Sequence, residues 1–415
     1  MIRKDLSAKD LNDTNIDLIF LLYWGVLVFW QNINPGSTGS TADTLIKTCL
    51  ILFLVGYYLL HTHTFRTSSL ALSFLFAAAM VISFLSESAV ELRNILTYFF
   101  PVAFVFLSCC TGGRFQINLA KLLRFMWGIV AMVLYMALYA VVATPDKFLR
   151  ALTASSAYGN ELTSFFISNH EYGLYLMAGI TACILLMELV PKRTGGRTAF
   201  LLGCIAFFAI NLVLTYSRTS MLATALIVVI YMLLNRKSKM AKLFFIVLLL
   251  LAIVVATVPE LREYFLKIVL KDNNLAGRDD LAALAMETFE KASLRGKLFG
   301  QGSTEMASFF KKETDHASVH NAYLQILLYF GMIPLFAMIV FLIWQVIADF
   351  KMIKKNRTLA VLFIGLLFAC VSTMFTNTAI LFSSPVDSFF LTVFTVLIPQ
   401  YVRNAVMTNS FGFKG

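Results

Sequence analysis

Apolar runs of about 16–20 residues follow one another along most of the chain, and nothing else in the sequence constrains the fold as tightly. Inside a bilayer every backbone N–H and C=O needs an internal partner, so such a chain spans as helices or as a closed barrel. Barrel strands alternate apolar and polar residues over about ten positions, and these runs do not alternate. The expected fold is an all-α polytopic membrane protein. Hydrophobic residues make up 59% of the sequence and charged residues 14%, against about 25% charged in soluble domains.

About twelve transmembrane helices are expected. They lie near 16–31, 44–60, 68–85, 94–110, 122–142, 172–190, 198–215, 219–234, 243–258, 321–347, 358–377 and 387–402. The polar start MIRKDLSAKDLNDTN is unlike a cleaved signal peptide, so the first span is expected to stay as an anchor. Residues 1–415 read as a single integral membrane domain with one large hydrophilic insertion near 259–320.

The net charge of +11 raises nucleic acid as a partner. The positive charge sits in short loops between spans, where it sets orientation, so no nucleic-acid role follows. One set of short loops and the termini carries twenty lysines and arginines, and the opposite short loops carry only Arg93, Lys147, Arg150 and Arg218. The positive-inside rule then puts both termini in the cytoplasm and the 259–320 loop on the exterior face. All six cysteines fall within apolar runs with no CxxC pair, so they read as small hydrophobes.

The spans look nearly free of ionisable groups, with Lys47 and Glu188 close to span ends. Ion-coupled transport usually needs such groups near the bilayer midplane. A polysaccharide or lipid flippase therefore stands as the transporter alternative rather than a coupled pump.

Two exterior loops exceed a turn, one near 143–171 and one near 259–320. In the second, Leu261, Tyr264, Phe265, Ile268 and Val269 share one helical face, which fits an amphipathic helix at the lipid interface. A second helix is expected from Asp279 to about Lys291, with Leu281, Leu284, Ala285 and Phe289 as its apolar stripe. Gly296, Gly300 and Gly302 are expected to break regular structure after it.

Three exterior features could carry chemistry. Tyr216-Ser217-Arg218-Thr219-Ser220 is a tight polar turn between two spans. Arg218 fits either a headgroup-level anchor or a planar fork of donors for a phosphate. Gly277-Arg278-Asp279-Asp280 sets an arginine just before a helix N-terminus, where anions are favoured; a local salt bridge to either aspartate is the alternative. His320-Asn321 opens the tenth span. The helix dipole there favours a neutral imidazole able to accept a proton, as a general base must; a surface histidine capping the helix is the alternative. His316 reads as solvated loop. A metal site built from His316 and His320 is disfavoured, because Asp315 is the one nearby acid and cysteine is absent. His170, in Ser168-Asn169-His170-Glu171, lines the same cavity or sits at the interface. Ser217, His316, Asn321, Arg295 and His170 complete the set as supporting candidates.

Together these pieces resemble the bacterial O-antigen polymerase and ligase superfamily. The resemblance rests on Ser217-Arg218, on Gly277-Arg278, on Phe299-Gly300-Gln301-Gly302, and on His320-Asn321-Ala322-Tyr323-Leu324 with Gly331 beyond; it covers about residues 170–350. It implies a membrane glycosyltransferase of the bacterial cytoplasmic (inner) membrane. Arg218 and Arg278 would bind the diphosphate of an undecaprenyl-diphosphate-linked glycan, which serves as both donor and acceptor, and His320 would activate the acceptor hydroxyl. It implies no metal and no cofactor, and a chain-length regulator protein is an expected partner. The 259–320 loop would carry part of the active site. Within the superfamily the sequence reads as a Wzy-type polymerase of O-antigen or capsular polysaccharide; a ligase that moves glycan onto lipid A–core is the alternative. Some polymerases carry an arginine followed, after ten residues, by glycine in two exterior loops. No arginine here has glycine at that spacing, so that mode of glycan handling does not carry over.

Overall fold

The computed structural model describes residues 16–34, 41–61, 67–87, 92–109, 116–153, 159–166, 168–190, 195–259, 262–263, 266, 278–314, 319–375, 390–409 and 411. Among the described residues all regular structure is helical. The helices are α1 (Ile16–Ile33), α2 (Thr41–His61), α3 (Thr67–Phe84), α4 (Leu92–Cys109), α5 (Leu119–Val142) and α6 (Pro145–Thr153). Next come α7 (Asn169–Leu189), α8 (Gly195–Leu214), α9 (Arg218–Leu234) and α10 (Lys239–Thr257). Then follow α11 (Arg278–Lys291), α12 (Leu294–Phe299), α13 (Ser303–Thr314), α14 (Ala322–Phe330), α15 (Met332–Met352) and α16 (Arg357–Thr373). The last helix, α17 (Phe390–Met407), contains a π-turn at Val393–Leu397.

Seven of these helices, α1, α5, α7, α8, α10, α15 and α17, are long and apolar enough to cross a membrane. α9 and α16 are shorter apolar helices. The chain is thus an all-α polytopic membrane protein. Several of its helices begin where a short polar side chain accepts from orphaned N–H groups of the first turn. Asn118 does this for Lys121 at 3.0 Å, Ser238 for Met240 at 3.1 Å and Asn356 for Leu359 at 3.1 Å. The interfacial helix expected over 259–271 lies mostly outside the described residues; Pro259, Arg262, Glu263 and Leu266 are helical.

α7 is the central post, buried on nearly every side and packed against α5, α8, α9 and α16. α10 is more apolar than α7 and exposes Phe245, Ile246, Leu249 and Leu250, the pattern of a helix facing lipid. α9 and α16 form a closely packed antiparallel pair. At one end the Arg357 guanidinium donates to the Leu234 carbonyl at 2.7 Å, and Asn235 donates to the Thr358 hydroxyl at 3.3 Å. The start of α9, with Arg218, therefore lies toward the end of α16 near Thr373. There the Met374 carbonyl accepts from the Ala322 N–H at 2.8 Å, and the Val371 carbonyl accepts from the Tyr323 hydroxyl at 3.0 Å. The starts of α9 and α14 thus sit at one end of the bundle.

Two expectations need correction. The span expected over 321–347 is two helices, broken at Gly331, which has φ +92°. Gly296 does not break regular structure but lies inside α12, which ends at Phe299 with Gly300 as its C-cap. Asp17, Glu171, Asp349 and Arg403 are buried, each near an end of its helix. A buried charge is tolerated when it is paired. Arg124 grips Asp17 with two hydrogen bonds, at 2.6 and 3.0 Å. Arg403 contacts Asp349 at 2.5 Å and also donates to the side chains of Gln345 and Gln400. Both ion pairs sit near helix ends, opposite the end that holds Arg218 and Asn321.

Candidate functional site

The site is built from three chain segments at one end of the bundle. The first is the turn from α8 into α9. Tyr216 adopts a left-handed backbone, φ 51°, a conformation that costs a non-glycine residue of order 1–3 kcal/mol and clusters at functional sites. The turn is held from several directions. The Tyr216 hydroxyl donates to the Ala151 carbonyl of α6 at 2.7 Å, and the Ser217 N–H donates to Thr215 Oγ1 at 3.1 Å. Ser217 is fully buried, and Arg218, the first residue of α9, is exposed.

The second segment is the start of α7. Ser168 caps this helix by accepting from the His170 N–H at 3.2 Å. Asn169 then donates to the Thr215 carbonyl at 2.9 Å, and His170 Nδ1 meets Ser217 Oγ at 2.9 Å. Two consecutive side chains of α7 therefore hold the turn that presents Arg218. α7 and α9 approach so closely here that a Cβ added at Gly173 would fall 2.6 Å from Ser220 Oγ. Glu171, buried in the first turn of α7, accepts from Gln31 of α1 at 3.4 Å.

The third segment is the start of α14. Asn321 Oδ1 accepts from the N–H groups of Tyr323 at 3.0 Å and Leu324 at 3.1 Å. The helix cap is therefore Asn321, and the capping role proposed for the histidine does not fall to it. His320 is half-buried and also left-handed, φ 53°. Ser164, φ 54°, is a third strained residue at this end, where its hydroxyl donates to the Met136 carbonyl at 2.9 Å.

The helices of the long insertion dock against this end. α11 packs along α14 and buries Leu281 and Ala285, with Leu284 and Phe289 packed against the core, as the stripe in its sequence requires. Arg278 is the first residue of α11 rather than the residue before it. α12 packs against α14, α15 and α3, and Arg295 reaches the Leu85 carbonyl at 3.1 Å. His316 lies outside the described residues.

The Phe-Gly-x-Gly stretch is the knot that ties the insertion down. Gly300, φ +84°, lies across the break at Gly331: a Cβ on Gly300 would fall 2.2 Å from the Tyr329 carbonyl oxygen, and one on Gly331 would fall 2.4 Å from the Gly300 nitrogen. Gln301 N–H donates to the Leu328 carbonyl at 2.9 Å. The motif therefore has a packing role.

Sequence reasoning singled out Arg218 and His320 but missed the grip of α7 on the turn. The signal was the Ser-Asn-His-Glu string at the start of α7, which supplies a helix cap and two side chains aimed across to α9.

Fold and site together define a polytopic all-α membrane protein with a strained, polar arginine- and histidine-bearing region at one end of its bundle. Residues 202–339 match the family described as O-antigen ligase, Wzy_C. That segment runs from α8 into α15 and contains Arg218, Arg278, the Phe-Gly-x-Gly stretch and His320. The match supports an enzyme of the O-antigen polymerase and ligase type and does not separate polymerase from ligase. No curated protein matches the chain.

Proposed function

We propose that the protein is a membrane glycosyltransferase that polymerises undecaprenyl-diphosphate-linked oligosaccharide units into O-antigen or capsular polysaccharide on the exterior face of the cytoplasmic membrane. The observation that carries this reading is the convergence of two strained starts, Tyr216–Arg218 of α9 and His320–Asn321 of α14, at the same end of the α9–α16 pair.

The chemistry follows from those groups. Arg218 and Arg278 neutralise the diphosphate of the donor, so that undecaprenyl diphosphate can leave with the bonding electron pair. His320 takes the proton of an acceptor sugar hydroxyl. The hydroxyl oxygen forms a bond to the anomeric carbon as the bond from that carbon to the diphosphate breaks. A single displacement inverts the anomeric configuration.

The test is elongation of a defined undecaprenyl-diphosphate-linked repeat unit by purified protein in liposomes. Wild type should lengthen the glycan, whereas His320→Ala and Arg278→Ala should not. Elongation at the wild-type rate by either variant would remove the role assigned to that residue. A second reading, ligation of glycan to lipid A–core, is favoured by the description of the matching family. It predicts transfer only when lipid A–core is supplied as acceptor.

A further inference from the structure

We infer that His170 is the positioning residue of the anion site: through Nδ1 it braces the Ser217 hydroxyl and so fixes the turn that presents Arg218. The inference rests on the transferase reading above and adds the group that holds its arginine in place.

Ser217 occupies the N-cap position of α9, yet its hydroxyl makes no capping bond to the helix. It donates instead to Ser220 Oγ at 3.0 Å and faces His170 Nδ1 at 2.9 Å. With its proton committed to Ser220, Ser217 Oγ accepts from Nδ1–H. Ser217 is fully buried and Ser220 nearly so, beneath the close approach of Gly173. A hydroxyl enclosed in this way braces the turn and is not a nucleophile.

The brace is needed because the turn is strained. Tyr216 is left-handed, and Arg218 follows it by two residues, with its N–H donating to the Tyr216 carbonyl at 3.1 Å. If the Ser217 contact is lost, the local strain can relax and the first turn of α9 can shift. A displacement of about 1 Å at a reacting group can lower a rate about 100-fold.

Two amides separate the two ring nitrogens. Asparagine puts its Nδ2 donor near the position of Nδ1, while glutamine reaches toward Nε2. The full-length protein in liposomes, with undecaprenyl-diphosphate-linked repeat unit as substrate, should give a kcat/KM lowered about 10- to 100-fold by His170→Ala. His170→Asn should restore most of this, and His170→Gln should not. His170→Ala combined with Ser217→Ala should be no worse than the poorer single variant, because the two remove one interaction. The inference is overturned if His170→Ala matches wild type, if Gln restores as well as Asn, or if the double variant shows multiplied losses. An inactive wild type would instead count against the transferase reading, and the comparison of Asn with Gln keeps a folding defect from passing as support.

Discussion

The carboxylate of Glu87, in the turn after α3, accepts from both the backbone N–H and the hydroxyl of Ser303, each at 2.6 Å. Thr304 N–H adds a third bond at 3.3 Å and the Tyr98 hydroxyl a fourth at 2.8 Å. One side chain from the first half of the chain therefore caps α13 and fixes the helical insertion to the α3–α4 pair.

That contact predicts an acid-sensitive attachment. Burial pushes the Glu87 carboxyl up, but the hydrogen bonds from Ser303, Tyr98 and Thr304 outweigh it and hold the group below the ordinary glutamate value. A carboxyl lowered by folding contributes fully above its unfolded value and loses that contribution as pH falls through its folded one. Protection of residues 303–314 against hydrogen exchange, taken relative to the intrinsic rate at each pH, should therefore fall as the pH is lowered through the acidic carboxylate range. In Glu87→Ala, where about 1–3 kcal/mol of local stabilisation is lost, exchange should be fast at neutral pH and lose most of this dependence on acid. Unchanged protection in the variant would show that Glu87 does not hold the insertion.

Gly300 and Gly331 predict a second outcome. Each is left-handed and each leaves no space for a methyl group. The conformation alone costs an L-residue about 1–2 kcal/mol, and the Gly331 clash is with backbone atoms that cannot swing away. Gly331→Ala should lower the melting temperature sharply in detergent. Gly203→Ala is the control, because a Cβ there meets nothing within 4 Å inside α8; it should be neutral or stabilising by about 0.5–1 kcal/mol. Equal melting of the two variants would argue against the interlock.

Much of this architecture was legible because bilayer helices announce themselves by length and apolarity, and α11 by its stripe from Leu281 to Phe289. The break at Gly331 was not legible: glycine is tolerated within an apolar run, and what occupies the space beside it is the backbone of Gly300 from an earlier loop. The pairing of Asp17 with Arg124 was not legible either, because the two partners are 107 residues apart. The site divides in the same way. Arg218 and His320 stood out as polar residues at span starts, but the link from His170 to Ser217 bridges 47 residues and exists only once α7 packs against α9.

The pair between Arg403 and Asp349 predicts a non-additive stability series. Both side chains are almost wholly buried. Removing one partner leaves an uncompensated charge, at a cost of about 3–5 kcal/mol, whereas replacing both by apolar residues is often neutral. Arg403→Met should therefore melt well below wild type, and Arg403→Met combined with Asp349→Leu should recover most of the loss. A double variant less stable than either single one would mean that the pair, with Gln345 and Gln400, contributes net stability that an apolar contact cannot replace.

Arg218→Lys separates the two roles open to this arginine. The side chain is exposed, so the substitution should change stability by no more than about 0.5 kcal/mol. A headgroup anchor needs only a positive charge, which lysine keeps. A diphosphate ligand needs the planar fork, with two parallel donors reaching two oxygens, and an ammonium cannot reproduce that. If the arginine stabilises charge developing on the leaving diphosphate, kcat/KM should fall about 100-fold or more while the melting temperature stays in place. Initial rates of glycan elongation, measured beside thermal melting of the same preparation, decide between the roles, and wild-type rates with lysine at this position would leave Arg218 as an anchor.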